Sequence, residues 1–184
     1  DLILLKRLDI EYELFRYIEY RKFCHLFKSS CENFSHNITL AQSIFQRRSS
    51  RAGTSLERHL GTIFKEHGLS YSWQGTTENN KKPDFIFPDI LEYHNPDYPV
   101  DKLVFLGSKR TCRDRWRQIL DEADKISVKH LFTIQQGIST SQINQMQEKK
   151  VRLVVPGPYI DLYYQKSKDC IINLQSFIEY VACV

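Results

Sequence analysis

The sequence predicts an α/β fold, a mixed β-sheet flanked by helices, with a helical segment at the N-terminus. Three observations carry this. Apolar residues before Gly68 recur at helical spacing. Beyond Gly68 the period shortens to that of strands. Short apolar runs then alternate with helical stretches, as in a sheet that packs helices on its faces.

Leu2 to Lys28 places Leu5, Leu8, Tyr12, Phe15 and Ile18 at helical spacing among charges, so it reads as one long amphipathic helix. A second helix is expected over Ile38 to Arg48, broken by Ser49-Ser50-Arg51-Ala52-Gly53. Thr54-Ser55-Leu56-Glu57 has the form of a capping box, opening a helix that runs to His67 with Gly68 as its stop. Strands are expected at Tyr71 to Gln74, Asp84 to Phe87, Lys102 to Ser108, His130 to Ile134 and Arg152 to Val155. Polar and Pro/Asp/Tyr-rich loops, Gly75 to Lys82 and Pro88 to Asp101, separate the first three. Helices are expected near Cys112 to Lys125, Ser139 to Lys149 and Gln175 to Val181.

At 184 residues the chain is expected to form one domain with a sizeable core. Its parts are a helical N-terminal segment (1–50), a core (51–156) and a C-terminal part (157–184). The 26 basic and 22 acidic residues give only +4, so net charge alone does not announce nucleic acid. Distribution says more: Arg47, Arg48 and Arg51 cluster, as do Arg110, Arg113, Arg115 and Arg117. Five cysteines form no CxxC pair and the histidines show no ligand spacing around them, so they read as reduced thiols rather than zinc ligands. No apolar stretch reaches membrane-spanning length and no signal peptide is visible, which predicts a cytoplasmic protein without a membrane partner. The chain starts at Asp1 rather than Met, leaving room for an upstream effector domain.

Asp84 and Lys109 are the candidate chemistry. Asp84 follows Pro83 at the head of an apolar strand, where an unpaired carboxylate is costly and should meet a lysine or a metal. Lys109 ends the next expected strand after Gly107 and Ser108, small residues that leave space for a metal, a water or a phosphate. A carboxylate and an ammonium at adjacent strand ends suit phosphodiester hydrolysis, the acid holding a divalent cation and the lysine orienting the attacking water. The usual nuclease pattern has Glu or Asp two residues before the lysine, where this chain has Gly107. Glu122, at the edge of the Trp116/Ile119/Leu120/Ala123 stripe of the following helix, is the natural replacement.

These residues also carry a family resemblance. Ser50 to Glu57, Lys82 to Pro88, and Leu103 to Ala123 with its core Gly107-Ser108-Lys109-Arg110-Thr111-Cys112-Arg113-Asp114-Arg115-Trp116 resemble the catalytic domain of the EcoRII-type restriction endonucleases, within the PD-(D/E)xK nuclease superfamily. Weaker similarity runs from Lys129 to Thr133 and from Val151 to Pro156. The resemblance implies a restriction-endonuclease-like core and a third acid at Glu122. It also implies a further acid from the helix of Glu57 and a tyrosine near the site at Tyr93. The related enzymes read outer C·G pairs of CCWGG- or CCNGG-like targets with the segment matching Arg113-Asp114-Arg115, a set chemically matched to G·C edges in the major groove. Arg110 and Arg51 join the DNA-binding candidates. The same enzymes are associated with base flipping, for which Trp73 and the Arg47 to Arg51 cluster are candidates.

The expected function is therefore a Mg²⁺-dependent type II restriction endonuclease of prokaryotic origin. It would act as a homodimer on double-stranded DNA at a short G·C-flanked site, because cutting both strands needs two active sites. The alternatives are a repair or structure-specific nuclease of the same superfamily and a catalytically silent DNA-binding module.

Overall fold

The computed structural model describes residues 1–27, 34–163 and 170–184, without the side chains of Phe27, Arg113 and Asp114; Lys28 and Cys31 lie outside the described residues. It divides into two compact units, Leu2–Leu56 and Glu57–Val184, Asp1 going with the second. No described helix is long and apolar enough to cross a membrane.

The first unit is built from helix α1 (Leu2–Phe27) and the greater part of α2 (Phe34–Glu66). The expected break at Ser49 to Gly53 does not occur: α2 runs through it, and Thr54 to Glu57 are interior helical residues rather than a capping box. One glycine costs a helix only about 1 kcal/mol. Contacts between the two helices span the stretch. Glu19 accepts from Arg48 Nη2 at 2.5 Å and from Nε at 3.1 Å, the Arg51 guanidinium lies 4.5 Å from the Phe15 ring centroid, and Ser55 Oγ donates to Glu11. The stop at Gly68 is as expected. Its φ of +71° and the bonds Gly68 N to Lys65 O and Leu69 N to Phe64 O close the helix by a Schellman arrangement.

The second unit is a six-stranded mixed sheet in sequential order. Strands β1 (Ser72–Trp73), β2 (Phe85–Phe87) and β3 (Val104–Ser108) are antiparallel neighbours. Parallel pairing then carries the sheet through β4 (Lys129–Phe132), β5 (Val151–Val155) and β6 (Ile171–Asn173). Helices α3 (Ile90–His94), α4 (Thr140–Glu148) and α5 (Leu174–Cys183) lie between or after them. Alternation sorts the core. Phe85 and Phe87 meet Phe64 edge-on, and Phe87 meets Phe177 likewise. Ile86 joins Tyr93, Phe105, Trp116 and Leu131 in a second cluster. Strand β6 was not expected; its isoleucine pair is too short to carry a period.

The Cys112 to Lys125 segment also differs from expectation. It is a 3₁₀ helix over Arg113–Asp121, and Glu122 is its C-cap with extended backbone (φ −101°, ψ 139°). Trp116 and Ile119, three residues apart, stack on one side of a helix with three residues per turn and are buried. Glu122 has thus left the helix on which the sequence placed it.

Candidate active site

Asp84 precedes β2, Ser108 ends β3 and Lys109 follows it. The antiparallel register, Phe85 opposite Leu106, brings them together. Asp84 is buried, yet its Oδ2 accepts from the Ser108 amide at 2.7 Å and from Lys109 Nζ at 3.0 Å. The expected strand-end pair is therefore formed, with a backbone donor that the sequence did not reveal. Lys109 is fixed in turn by its own amide, which donates to Phe132 O on β4. Asp84 Oδ1 has no hydrogen-bond partner among the described residues and remains available to a ligand.

The missing acid has a steric explanation. A Cβ on Gly107 would come within 2.9 Å of Ile119 Cγ2. Ile119 from the 3₁₀ helix closes the place where the usual pattern carries its carboxylate, and the same segment delivers Glu122 three residues later. Glu122 is partly buried. Burial first, and then the Asp84 charge, push its carboxyl up to about 7 against the opposing pull of Lys109. The Glu57 carboxyl is raised as well, by burial first and then by Asp84, although Trp73 Nε1 and Gln74 Nε2 both donate to its Oε2, at 2.8 and 3.0 Å. Glu57 thus has no capping role, and its carboxylate shares the field of Asp84 and Lys109.

Tyr93 behaves differently. It lies on α3, wholly buried, and its hydroxyl donates to the Glu78 carboxylate at 2.7 Å. Burial and that carboxylate raise its pKa further. Its partners among the described residues are Glu78 and Lys125 rather than Asp84 or Lys109. Sequence reading missed Lys129, which is buried at the head of β4 and donates to the backbone carbonyls of Glu122 and Ala123. Burial pulls its pKa down to about 8. Nothing in the sequence separates it from a solvated strand-end lysine.

The arginines fall into separate groups. Arg110 is half-buried at the end of β3, its carbonyl accepting from Thr133 Oγ1 at 3.2 Å, and Arg115 is exposed. Arg113 and Asp114 open the 3₁₀ helix, and their side chains lie outside the described residues. Arg117 donates to Gln145 at 2.9 Å. Arg51 belongs to the N-terminal unit with Arg47 and Arg48, where Phe15, Phe23 and Glu19 engage them. Trp73 is 44 % exposed beyond its bond to Glu57.

The model of the family described as EcoRII C terminal matches residues 15–178. The chain belongs to the EcoRII C-terminal family. It is 45% identical over 176 residues to the type II restriction enzyme EcoRII of Escherichia coli, a match covering 95% of this chain and 44% of that protein. This EcoRII C-terminal chain therefore spans less than half the length of that relative. Its fold is that of the restriction endonucleases Ecl18kI, solved metal-depleted with uncleaved DNA (TM-score 0.80, 20% identity, 97% of this chain and 67% of that one), and PspGI, solved with substrate DNA (TM-score 0.77, 18% identity, 98% and 78%).

Proposed function

We propose that this chain is the nuclease domain of a Mg²⁺-dependent type II restriction endonuclease that hydrolyses double-stranded DNA at a short G·C-flanked site and acts as a homodimer. The observation that carries the proposal is the pair of buried Asp84 and part-buried Lys109 at 3.0 Å with Glu122 and Glu57 bearing on it, in a chain of this family. Among the described residues no group of three or more His, Cys, Asp or Glu is arranged to cage a metal. The donor set is an open one, Asp84 Oδ1 and the Glu122 carboxylate. That fits Mg²⁺, which is commonly held by one or two carboxylates and keeps several waters. A bound divalent cation supplies positive charge to the scissile phosphate and acidifies a water. Asp84 is oriented by the Ser108 amide so that one oxygen serves the lysine and the other the site. Lys109 Nζ donates to the attacking water and steadies negative charge on the phosphate. Burial pushes the Glu122 carboxyl up to about 7, so an entering cation draws off its proton and leaves the carboxylate suited to completing the site.

Arg113, Asp114 and Arg115 follow the catalytic strand and are proposed to read outer G·C pairs, with Arg110 beside them on the phosphate backbone. Plasmid digestion with Mg²⁺ tests the proposal. Discrete bands whose sequenced ends share one G·C-flanked site are expected. A smear would indicate a nuclease that acts without sequence preference, and shifted but intact DNA a silent binding module.

A further inference from the structure

We infer that Lys129 is a positioning residue for Glu122, its buried ammonium forming one half of a clamp on the Glu122–Lys125 turn and the Glu78–Tyr93 pair forming the other. This rests on the proposal that Glu122 holds the divalent cation. Lys129 Nζ donates to Glu122 O and, at 2.5 Å, to Ala123 O, so the two carbonyls that would otherwise continue a helix are turned onto the head of β4. From the other side Glu78 Oε2 accepts from the Asp124 amide at 3.3 Å and Tyr93 Oη from the Lys125 amide at 3.4 Å, while Tyr93 Oη donates to Glu78. Between the two grips Ala123 has φ +53°, a left-handed conformation that a non-glycine residue resists. Such a turn persists only where its surroundings hold it.

The chemistry of Lys129 points the same way. It is 4 % exposed at the head of a parallel strand, where a lysine is costly to bury, and it makes no salt bridge among the described residues. Among the described residues its hydrogen-bond acceptors are the backbone carbonyls of the residue that carries the acid and of the next one. Because it grips backbone, it fixes where Glu122 begins without competing for its carboxylate. Releasing the clamp should let Glu122 drift from Asp84 and Lys109 while the strand-end pair stays in place.

The test is a cycle of Lys129→Met and Glu122→Gln, read by Mn²⁺ binding to the protein in the absence of DNA, from the electron paramagnetic resonance signal of free Mn²⁺. Lys129→Met should weaken Mn²⁺ binding about tenfold in the wild-type background, the scale of losing an outer partner of a metal ligand. It should change affinity less than twofold in the Glu122→Gln background, and Lys129→Arg should restore most of the loss. Unchanged affinity in Lys129→Met, or an equal loss in both backgrounds, would overturn the clamp. If Lys129→Met does not fold, Tyr93→Phe decides by the same cycle, with a smaller loss expected that again disappears in Glu122→Gln. Equal Mn²⁺ affinity in wild type and Glu122→Gln would remove Glu122 from the metal site, and with it the purpose of the clamp.

Discussion

The strand ends and the turn beside them hold their carboxylates in different ways. Asp84 is fixed by side-chain hydrogen bonds from the neighbouring strand, the Ser108 amide and the Lys109 ammonium. Glu122 has no such donor among the described residues; its backbone is gripped by Lys129 and its carboxylate is left to burial and to the charges of Lys109 and Asp84. A charge held by sheet register follows from two short strand patterns. A charge held by a turn depends on partners scattered along the chain, such as Lys129 and Glu78, which mean nothing until they are brought together.

If the strand-end pair is the irreplaceable half, Lys109→Ala and Asp84→Ala should each reduce cleavage by about 10³-fold, the first by losing the donor to the attacking water and the second by losing a carboxylate proposed to hold the cation. Lys109→Ala should leave sequence-specific DNA binding nearly intact, as measured by gel shift without metal. Substantial cleavage by either folded variant would remove that residue from the chemistry. The turn should be the more forgiving half. Glu122→Gln should lose about a hundredfold in cleavage, with Mg²⁺ dependence shifted to higher concentration. Glu57→Gln should lose less, because Trp73 and Gln74 can still donate to the remaining oxygen. A reversed order would make Glu57 the principal second acid.

The pH dependence of stability separates the turn from a residue that plays no part in it. His130, on β4 beside Lys129, packs against the Phe177 and Tyr180 rings, and burial followed by the Arg152 charge lowers its pKa to about 4. Its folded pKa is depressed, so the unfolded chain takes up a proton first and stability falls as pH drops from about 6.5 to about 4. The total loss is on the order of 3 kcal/mol. Glu122 acts in the opposite sense: its folded pKa is raised, so its contribution is present at low pH and is lost as pH rises through about 7. In urea titrations across this range without metal, His130→Leu should gain on wild type as pH falls, and Glu122→Gln should lose on it. Parallel profiles for all three proteins would show that neither shift is present.

The smallest effect concerns why the acid moved. Gly107→Ala should destabilise the protein by about 1–3 kcal/mol, the usual range for overpacking, since its Cβ would strike Ile119 at 2.9 Å. Gly107→Glu should not rescue Glu122→Gln unless Ile119 is also reduced to alanine. Rescue with Ile119 intact would show that the position at Gly107 is open to a carboxylate.

The strands that carry the candidate site, β2 and β3, were legible because short apolar runs and a strand-end Asp and Lys are local signals. The stop at Gly68 was legible because a left-handed C′ position favours glycine. Family membership was legible from the segments around Asp84 and Lys109. The continuous α2 was not, because contacts such as Arg48–Glu19 outweigh the weak preferences of Ser49 to Gly53. Nor was the setting of Glu57, whose capping-box pattern lies inside a continuous helix and so caps nothing. Tertiary structure alone decided that Ile119 would fill the space above Gly107, that Glu122 would leave its helix, and that Lys129 would be buried beneath it. Each depends on contacts that exist only in the folded chain, Ile119 over Gly107 and Lys129 with the Glu122 and Ala123 carbonyls, where burial and hydrogen bonding to backbone override what neighbouring residues prefer.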